Sequence, residues 1–401
     1  MTTPHARAED EPTESFIGQA LVFAVIRLVL NTAHRMVYPF LAVFSRGLGV
    51  SLATFSIAMT ARGVIGAFGP FLAVIADRRG RKTGMLTGLG IFIAGTALVV
   101  FWPTFPVFLL ALGLTMLGKY VFDPSMQAYI GDRVPYQQRG RTIAVTEFGW
   151  SLSFIIGIPA MGFLIASQGW MGPYPLLLIL GTLSFLVLIW LLPGDGKPTE
   201  QGQPLLRNLR AVLTYSPALA GLAIGLLTSA GNEIINLVFG IWLEDSFGLQ
   251  IAALGAASAV IGFSELAGEG LSAAVTDRLG KPRAIGLGIL ANSIAALMLP
   301  LLGTTLAGAV IALFFFYLTF EFTLVSTIPM MTEIMPSARA TLLAANISSL
   351  SIGRAIGAAL ATQLYVHGLL VNGLVVIILN IFALLALSQL RKSMSRNEQI
   401  V

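Results

Sequence analysis

The chain of 401 residues has no cysteine and only three histidines. Without cysteine it can form no disulfide bond, no thiolate metal site and no cysteine nucleophile. The histidines, His5, His34 and His367, lie far apart in the sequence, which argues against a histidine metal cluster. The sequence therefore predicts neither a metal site nor a cofactor.

Charge is scarce as well. Charged residues make up 11% of the chain and hydrophobic residues 56%, whereas soluble proteins carry about 25% charged residues. A soluble fold of this length could not bury so much apolar surface, so the composition predicts an integral membrane protein. The basic pI, near 9.6, fits basic residues on the cytoplasmic side of a membrane, and no nucleic-acid partner is expected.

Long apolar segments dominate what is present. A spanning helix needs about 20 mostly apolar residues. Twelve segments meet this requirement, which predicts an all-α membrane protein with twelve transmembrane helices. They lie near residues 16–45, 51–76, 84–102, 105–131, 141–167, 171–193, 215–243, 250–276, 284–302, 305–332, 340–366 and 369–390.

The distribution of lysine and arginine predicts the orientation. With the N-terminus inside, the inner segments hold 18 of the 24 basic residues and the outer loops hold only Arg46. This asymmetry predicts a multi-pass protein of the cytoplasmic membrane with both termini in the cytoplasm. Residues 1–15 are polar and acidic, unlike a signal peptide, and are predicted to form a cytoplasmic tail.

The longest polar break divides the chain into two halves. Residues 194–214 are rich in Gly, Pro and charge, which is typical of a linker, and their second part, "LLRNLRAVL", could lie on the membrane surface as an amphipathic helix. We therefore predict an N-terminal six-helix bundle at 16–193, a cytoplasmic linker at 194–214, a C-terminal six-helix bundle at 215–390 and a cytoplasmic tail at 391–401.

Two charged turns recur, one copy in each half. The stretch "VIADRRGRK" (74–82) returns as "VTDRLGKPR" (275–283), and "GDRVPYQQRG" (131–140) returns as "TEIMPSARA" (332–340). The matched positions are Asp77 and Asp277, Arg78 and Arg278, Gly80 and Gly280, Asp132 and Glu333, Pro135 and Pro336, and Arg139 and Arg339. Two halves built alike would place a shared binding site between them near the middle of the membrane.

With these turns the chain resembles the major facilitator superfamily of secondary transporters along essentially its whole length. The family's signature turn is matched by Asp77, Arg78, Gly80, Arg81 and Lys82, while Ala73 replaces its first glycine. The resemblance implies two pseudo-symmetric bundles, alternating access and a cytoplasmic gate. The gate would be formed by Asp77, Arg78, Gly80, Arg81, Asp132, Arg139, Asp277, Arg278, Gly280, Lys281, Glu333 and Arg339.

The family's proton-antiporter motifs match less well. The arginine expected four residues before Gly118 is Leu114, and the Gly-Pro pair expected in the fifth span is Ile158-Pro159. These departures put drug–proton antiport in doubt without excluding it.

Polar and charged residues inside the spans predict a central cavity. A charge at the centre of a membrane helix costs at least about 2.5–3.5 kcal/mol, so charges there need water, a partner or a function. Spans 3, 6, 9 and 12 carry no charge, and in the resembling family these are the peripheral helices. The predicted cavity residues are Asn31, His34, Arg35, Arg62, Lys119, Asp123, Glu147, Glu233, Glu265, Glu269, Glu321 and Arg354.

Spacing suggests partners for several of these residues. Lys119–Asp123 and Glu265–Glu269 have i,i+4 spacing and therefore share a helix face. The Lys119–Asp123 pair could neutralise its own charges. In the Glu265–Glu269 pair, two nearby carboxylates favour a bound proton on one of them. Arg354 is expected to oppose the acids of spans eight and ten. Arg27 is expected to extend to the inner interface, as long basic side chains do.

These features predict a transporter, not an enzyme, because no nucleophile–base constellation appears. The expected function is proton-coupled export of a small organic solute, that is, an antiporter for efflux. The partners would be a small-molecule substrate, protons and membrane lipids, and the protein would act as a monomer. The alternatives are an importer of an organic anion, using Arg35, Arg62, Lys119 and Arg354, and a translocator of a lipid-type substrate.

Overall fold

A computed structural model describes residues 13–70, 80–195 and 205–398. Within these ranges the protein contains helices and no strands. Apolar residues form helices here because a backbone in lipid must satisfy its own hydrogen bonds. Eleven helices are long and apolar enough to cross a membrane, and a bent pair, Leu41–Leu48 with Leu52–Ala67, raises the count to as many as twelve. The prediction of an all-α protein with twelve membrane spans is confirmed.

The helices of the first half are eight in number within the described residues. They are α1 (Thr13–Arg35), α2 (Leu41–Leu48), α3 (Leu52–Ala67), α4 (Arg81–Phe101), α5 (Phe105–Arg133), α6 (Tyr136–Leu152), α7 (Ile158–Gln168) and α8 (Pro173–Leu191). One π-helical turn, Ser153–Gly157, joins α6 to α7, so these two helices form one span. Two predicted spans are thus not regular α-helices along their whole length. The first is interrupted between α1 and α2, and the fifth contains the π turn.

In the described residues, seven α-helices follow the break between the halves. They are α9 (Leu205–Thr214), α10 (Ser216–Phe247), α11 (Ile251–Leu279), α12 (Lys281–Leu302), α13 (Leu306–Ile334), α14 (Arg339–Tyr365) and α15 (Leu369–Glu398). Helix α9 covers the predicted amphipathic stretch. Helix α15 continues eight residues beyond the predicted end of its span at residue 390.

Backbone geometry shows the internal repeat independently of any sequence motif. Six glycines in the described residues have positive φ, and they form three pairs about 200 residues apart. The pairs are Gly49 with Gly248, Gly80 with Gly280, and Gly169 with Gly368. Glycine suits these positions because it has no Cβ to clash in a left-handed conformation. Corresponding turns therefore separate corresponding helices in the two halves.

The two halves meet along two helix pairs. Helix α3 packs along α14, and the span formed by α6, the π turn and α7 packs along α11. Small residues permit the close approach: a Cβ built on Gly63 would lie 2.8 Å from the backbone nitrogen of Ala355, and one built on Gly162 would lie 3.3 Å from Gly255 Cα. These seams frame the space between the halves.

Candidate functional site

A cavity of about 640 Å³ lies between the two halves. Its walls combine apolar and aromatic side chains with charged ones. The charged lining residues are Arg27, Lys119, Asp123, Glu147, Glu269, Glu321 and Arg354, and His34, Tyr120 and Trp150 lie beside them. Cavities of this size accept drug-sized molecules.

The cavity opens toward one end of the bundle. We call this the basic end, and define it by the ion pairs Arg81–Asp132 and Lys281–Glu333. Lining residues nearer this end, such as Gln127, Ala144 and Ile328, are exposed. Those deeper in the bundle, such as His34 and Glu321, are buried.

The opposite end, which we call the far end, is closed. Gly240 lies directly against the backbone of Pro39, and no Cβ would fit between them. Ser56 donates a hydrogen bond to the carbonyl of Ala358, and Arg46 pairs with Glu244 at 2.7 Å. All three contacts join one half to the other. The cavity is therefore accessible from the basic end and sealed at the far end.

Three donors on α1 attach it to the fifth span. Arg27, Asn31 and Arg35 follow one another at i, i+4 and i+8, so they lie on one helix face. They donate to the carbonyls of Thr146 at 2.9 Å, Gly149 at 3.2 Å and Trp150 at 3.1 Å. Gly149 makes this approach possible, because a Cβ there would lie 2.5 Å from the carbonyl oxygen of Ala24.

A charged network occupies the first-half wall of the cavity. Arg27 pairs with Asp123 at 3.3 Å and with Glu147 at 2.7 Å, and Lys119 also pairs with Asp123. Arg27 is only 5% exposed. The expectation that it extends to the membrane interface is therefore wrong, because two carboxylates at cavity depth hold it instead. The i,i+4 pair predicted between Lys119 and Asp123 is present.

A second ion pair crosses from one half to the other. Arg35 on α1 binds Glu265 on α11 through two contacts, one of them 3.0 Å long, and both residues are buried. The guanidinium lies 4.0 Å from the ring of Trp150 and 3.9 Å from that of Phe154. Two ring faces stabilise a desolvated cation. The cation that opposes Glu265 is thus Arg35, whereas we expected Arg354.

Arg62 supports a second link between the halves. It donates to the carbonyl of His34 at 3.0 Å and to the hydroxyl of Tyr38 at 2.9 Å. Tyr38 in turn donates to Glu233 on α10 at 3.0 Å.

A small inner pocket is lined by Arg35, Glu233 and Glu265. It shares His34, Glu321 and Arg354 with the main cavity. Asn31 and Arg62 line neither of these two spaces.

Three charged side chains of the second half differ from the charged residues above, because they have no ion-pair partner among the described residues. Glu269, Glu321 and Arg354 line the main cavity, yet none of them forms an ion pair within the described ranges. Glu321 is only 6% exposed. These groups are the ones that a solute or a proton could reach without first breaking an existing ion pair.

The predicted gate residues fall into several groups. Arg81 pairs with Asp132 at 2.9 Å and Lys281 pairs with Glu333, each tying the start of one helix to the end of the next. Arg139 and Arg339 donate to the carbonyls of Val134 and Thr332, at 2.8 Å and 3.0 Å. Gly80 and Gly280 begin α4 and α12, and Asp277 and Arg278 are exposed. Asp77 and Arg78 lie outside the described residues.

Several polar residues of the site had no sequence signal. Tyr38, Asn232, Asn236 and Tyr317 line the inner pocket, and Tyr317 donates to Asn236 at 3.0 Å. A search for charges inside spans overlooks neutral side chains. Within the described residues no group of three His, Asp or Glu side chains could hold a metal ion.

The chain was compared with protein families and with known proteins. The family model of the Major Facilitator Superfamily matches residues 23–358. The MFS-type transporter YceJ of Bacillus subtilis (strain 168) is 26% identical over 86% of this chain and 88% of its own length. The Quinolone resistance protein NorA of Staphylococcus aureus (strain MSSA476) is 22% identical over 57% of this chain and 56% of its own.

Solved structures share the fold. A bacterial homolog of the human lysosomal transporter Spinster, in an inward-facing and occupied conformation, matches with a TM-score of 0.73 and 14% identity. The match covers 96% of this chain and 98% of that one. A POT family transporter in complex with a thioalcohol-conjugated peptide matches with a TM-score of 0.75 and 14% identity, over 92% and 94% of the two chains.

Proposed function

The chain belongs to the Major Facilitator Superfamily, which makes it a multi-pass membrane transporter and not an enzyme, and we propose that it exports a small amphipathic organic solute in exchange for protons. Transport would proceed by alternating access, with the two halves rocking about the cavity. The observation that carries the proposal is the cavity itself, which is open at the basic end, closed at the far end and lined by acids without ion pairs.

The proposed orientation places the basic end in the cytoplasm. It rests on the excess of lysine and arginine in the segments that would face inward. In this orientation the cavity opens to the cytoplasm, from which an exporter would take its solute. Both termini would then be cytoplasmic.

The lining indicates the kind of solute. Tyr120, Phe148 and Trp150 provide aromatic surface, and Leu324 and Val325 provide aliphatic surface. Among the described residues, the cavity charges without an ion pair are two carboxylates and one guanidinium, so their sum is negative when all are ionised. An amphipathic molecule with a positive charge would complement this lining. The similarity to a quinolone resistance protein supports a drug-like organic solute.

Protons would couple through Glu269 and Glu321. A carboxyl group in a membrane cavity can exchange a proton with water and can also bind a cation, so proton and solute can compete for it. Glu265 is less suited to this role in the observed state, because Arg35 occupies it.

The test is transport by purified protein in proteoliposomes with an imposed pH gradient and ethidium as the fluorescent probe. We expect gradient-driven movement of ethidium by the wild type, and loss of the gradient dependence in Glu321→Gln or Glu269→Gln. Glu244→Gln is the matched control, because Glu244 pairs with Arg46 at the far end, away from the cavity. Unchanged gradient dependence in both cavity variants would contradict proton coupling through these acids.

One observation favours a second candidate, an importer of an organic anion. Arg354 lines the cavity without an ion pair among the described residues and could bind a carboxylate. Right-side-out and inverted vesicles distinguish the two directions. Accumulation of an organic anion in right-side-out vesicles, abolished by Arg354→Gln, would favour import.

A further inference from the structure

Reciprocal hydrogen bonds join the start of α4 to the end of α8. Asp195 accepts from the backbone N–H groups of Lys82 and Thr83, both at 2.8 Å, and from the Thr83 hydroxyl at 2.7 Å. The Lys82 ammonium donates to the carbonyls of Ile189 at 2.8 Å and Leu192 at 2.6 Å. We call Lys82, Thr83, Ile189, Leu192 and Asp195 together the clasp.

The clasp satisfies two helix ends at once. The first N–H groups and the last carbonyls of a helix have no partner within it, and they carry partial positive and negative charge respectively. A carboxylate meets the N-terminus of α4, and an ammonium meets the C-terminus of α8. Burial raises the pKa of Asp195, but the hydrogen bonds from Thr83 and Lys82 outweigh it and hold that pKa below its ordinary value.

The conformation and small size of Gly80 leave room for the clasp. Its φ of 104° lies in the region that favours glycine. A Cβ at this position would also collide with the Asp195 carboxylate. The residue before α4 thus leaves room for an acid that comes from more than a hundred residues later in the chain.

The second half has no such clasp among the side chains that the structure describes. Pro282 stands where Lys82 stands in the first copy of the turn, and proline has no N–H to donate. Gly280 has positive φ too, and a Cβ on Gly280 would meet no atom within 4 Å in the described structure. Since the same turn forms around Pro282, its backbone does not require the hydrogen bonds that Lys82 makes in the first half.

The first half differs from the second in that the chain continues from its last helix to α9. That helix packs against α10 and α14 of the second half, and its Val212 is fully buried in an apolar cluster there. The chain is therefore held by the first half at Asp195 and by the second half from α9 onward. Ten peptide steps separate Asp195 from Leu205 (205 − 195), a stretch that can reach about 35 Å at most.

We propose that the clasp is a positioning device for transport: Asp195 fixes the start of the linker to the first half and thereby limits how far the basic ends of the two halves separate. Released from Asp195, the chain gains free length at this end, and the halves can part further. The proposal depends on rocking of the two halves but on no particular solute or coupling ion.

The absence of native cysteine permits a direct test. Gly140→Cys and Ser337→Cys place one spin label on each half at the basic end, at positions that are both exposed. Distances between the labels are measured by pulsed electron resonance in lipid nanodiscs. We expect Asp195→Asn to add a population at longer distance, and Thr83→Val to add a smaller one. Thr87→Val is the matched control, because that hydroxyl bonds only to the Thr83 carbonyl of its own helix, at 2.8 Å.

The melting temperature of each variant distinguishes an effect on the distance between the halves from an effect on stability alone. A lower melting temperature with an unchanged distance distribution in both Asp195→Asn and Thr83→Val would overturn the proposal, and so would no change in either quantity. The distances are recorded without substrate. A failure to transport ethidium would therefore contradict the proposed function and leave this result unaffected.

Discussion

The two halves share their turns but not their treatment of charge. The first half neutralises its cavity charges internally, since Arg27 and Lys119 both pair with Asp123 and Arg27 also holds Glu147. The second half has Glu269, Glu321 and Arg354 in the cavity without ion pairs among the described residues, and it bonds Glu265 and Glu233 to side chains of the first half. A repeated backbone therefore carries two different electrostatic roles.

This difference suggests a division of labour. Removing one member of a buried ion network leaves an uncompensated charge, so such a network holds its helices firmly in one arrangement. Carboxylates without ion pairs can change protonation or partner without that cost. We infer that the first-half wall is the fixed part of the site and the second-half wall the responsive part. The predictions below begin with the largest expected changes in unfolding free energy and end with the variants expected to change it little.

Arg27→Gln should destabilise the protein most. It leaves Glu147 and Asp123 without the cation that joins them, and removing one partner of a buried ion pair typically costs about 3–5 kcal/mol. The cost will lie toward the lower value because Glu147 is 37% exposed. The measurement is the unfolding free energy in detergent. The control is Arg46→Gln at the far end, whose side chain is 59% exposed and whose ion pair should contribute at most about 1 kcal/mol.

Gly149→Ala should have the next largest effect. A Cβ at this position lies 2.5 Å from the Ala24 carbonyl, so α1 must shift away from α6. Overpacking of this kind costs about 1–3 kcal/mol. Gly140→Ala, on the same helix with nothing within 4 Å of its Cβ position, is the control and should be neutral or slightly stabilising. Equal stability of the two variants would show that the contact between α1 and α6 tolerates extra volume.

Much of this arrangement could be predicted from the sequence because lipid imposes strict requirements. Apolar runs located α5, α10 and α13 to within a few residues, and the repeated turns indicated the two related halves. The absence of charge in the predicted spans 3, 6, 9 and 12 led to the prediction that these helices are peripheral. In each case one physical cost, that of placing a charge or a free backbone group in hydrocarbon, determines the pattern.

The partners of the charges could not be predicted in the same way. Spacing within one helix identified Lys119 and Asp123, but Arg35 and Glu265 are 230 residues apart and meet only when the helices pack. The choice of Arg35 over Arg354 depends on the rings of Trp150 and Phe154, which no motif signals. Asp195 was overlooked because it lies in a stretch whose composition indicates only a linker.

Glu321→Gln should leave the unfolding free energy unchanged or slightly higher. It removes a buried charge that has no ion pair in the described structure, and the amide keeps the shape of the side chain. Transport, measured as above, should nevertheless lose its dependence on the pH gradient. This combination sharpens the contrast with Arg27→Gln. A large loss of stability would instead place Glu321 in a network like that of the first half.

Asp195→Asn should have a small effect on stability, and one that depends on pH. Its pKa is below the ordinary value in the folded protein, so the stabilisation is present above the ordinary value, about 3.9, and is lost as the pH falls through the folded value. The difference in melting temperature between wild type and Asp195→Asn should thus be constant from neutral pH to about pH 5 and shrink in stronger acid. A difference that already vanishes at pH 6 would contradict the assignment.

The most direct test of the central claim, a water-filled cavity between the halves that opens at the basic end, uses single cysteines in this cysteine-free chain. Ala144→Cys and Val325→Cys place one thiol on each cavity wall, and Leu290→Cys places a control on an exposed apolar position of peripheral helix α12. The thiols are treated with a charged, membrane-impermeant methanethiosulfonate in inverted vesicles, where the proposed orientation exposes the basic end to the medium. We expect rapid labelling of both cavity positions and none of Leu290→Cys, whereas equal protection of all three would contradict a hydrated cavity.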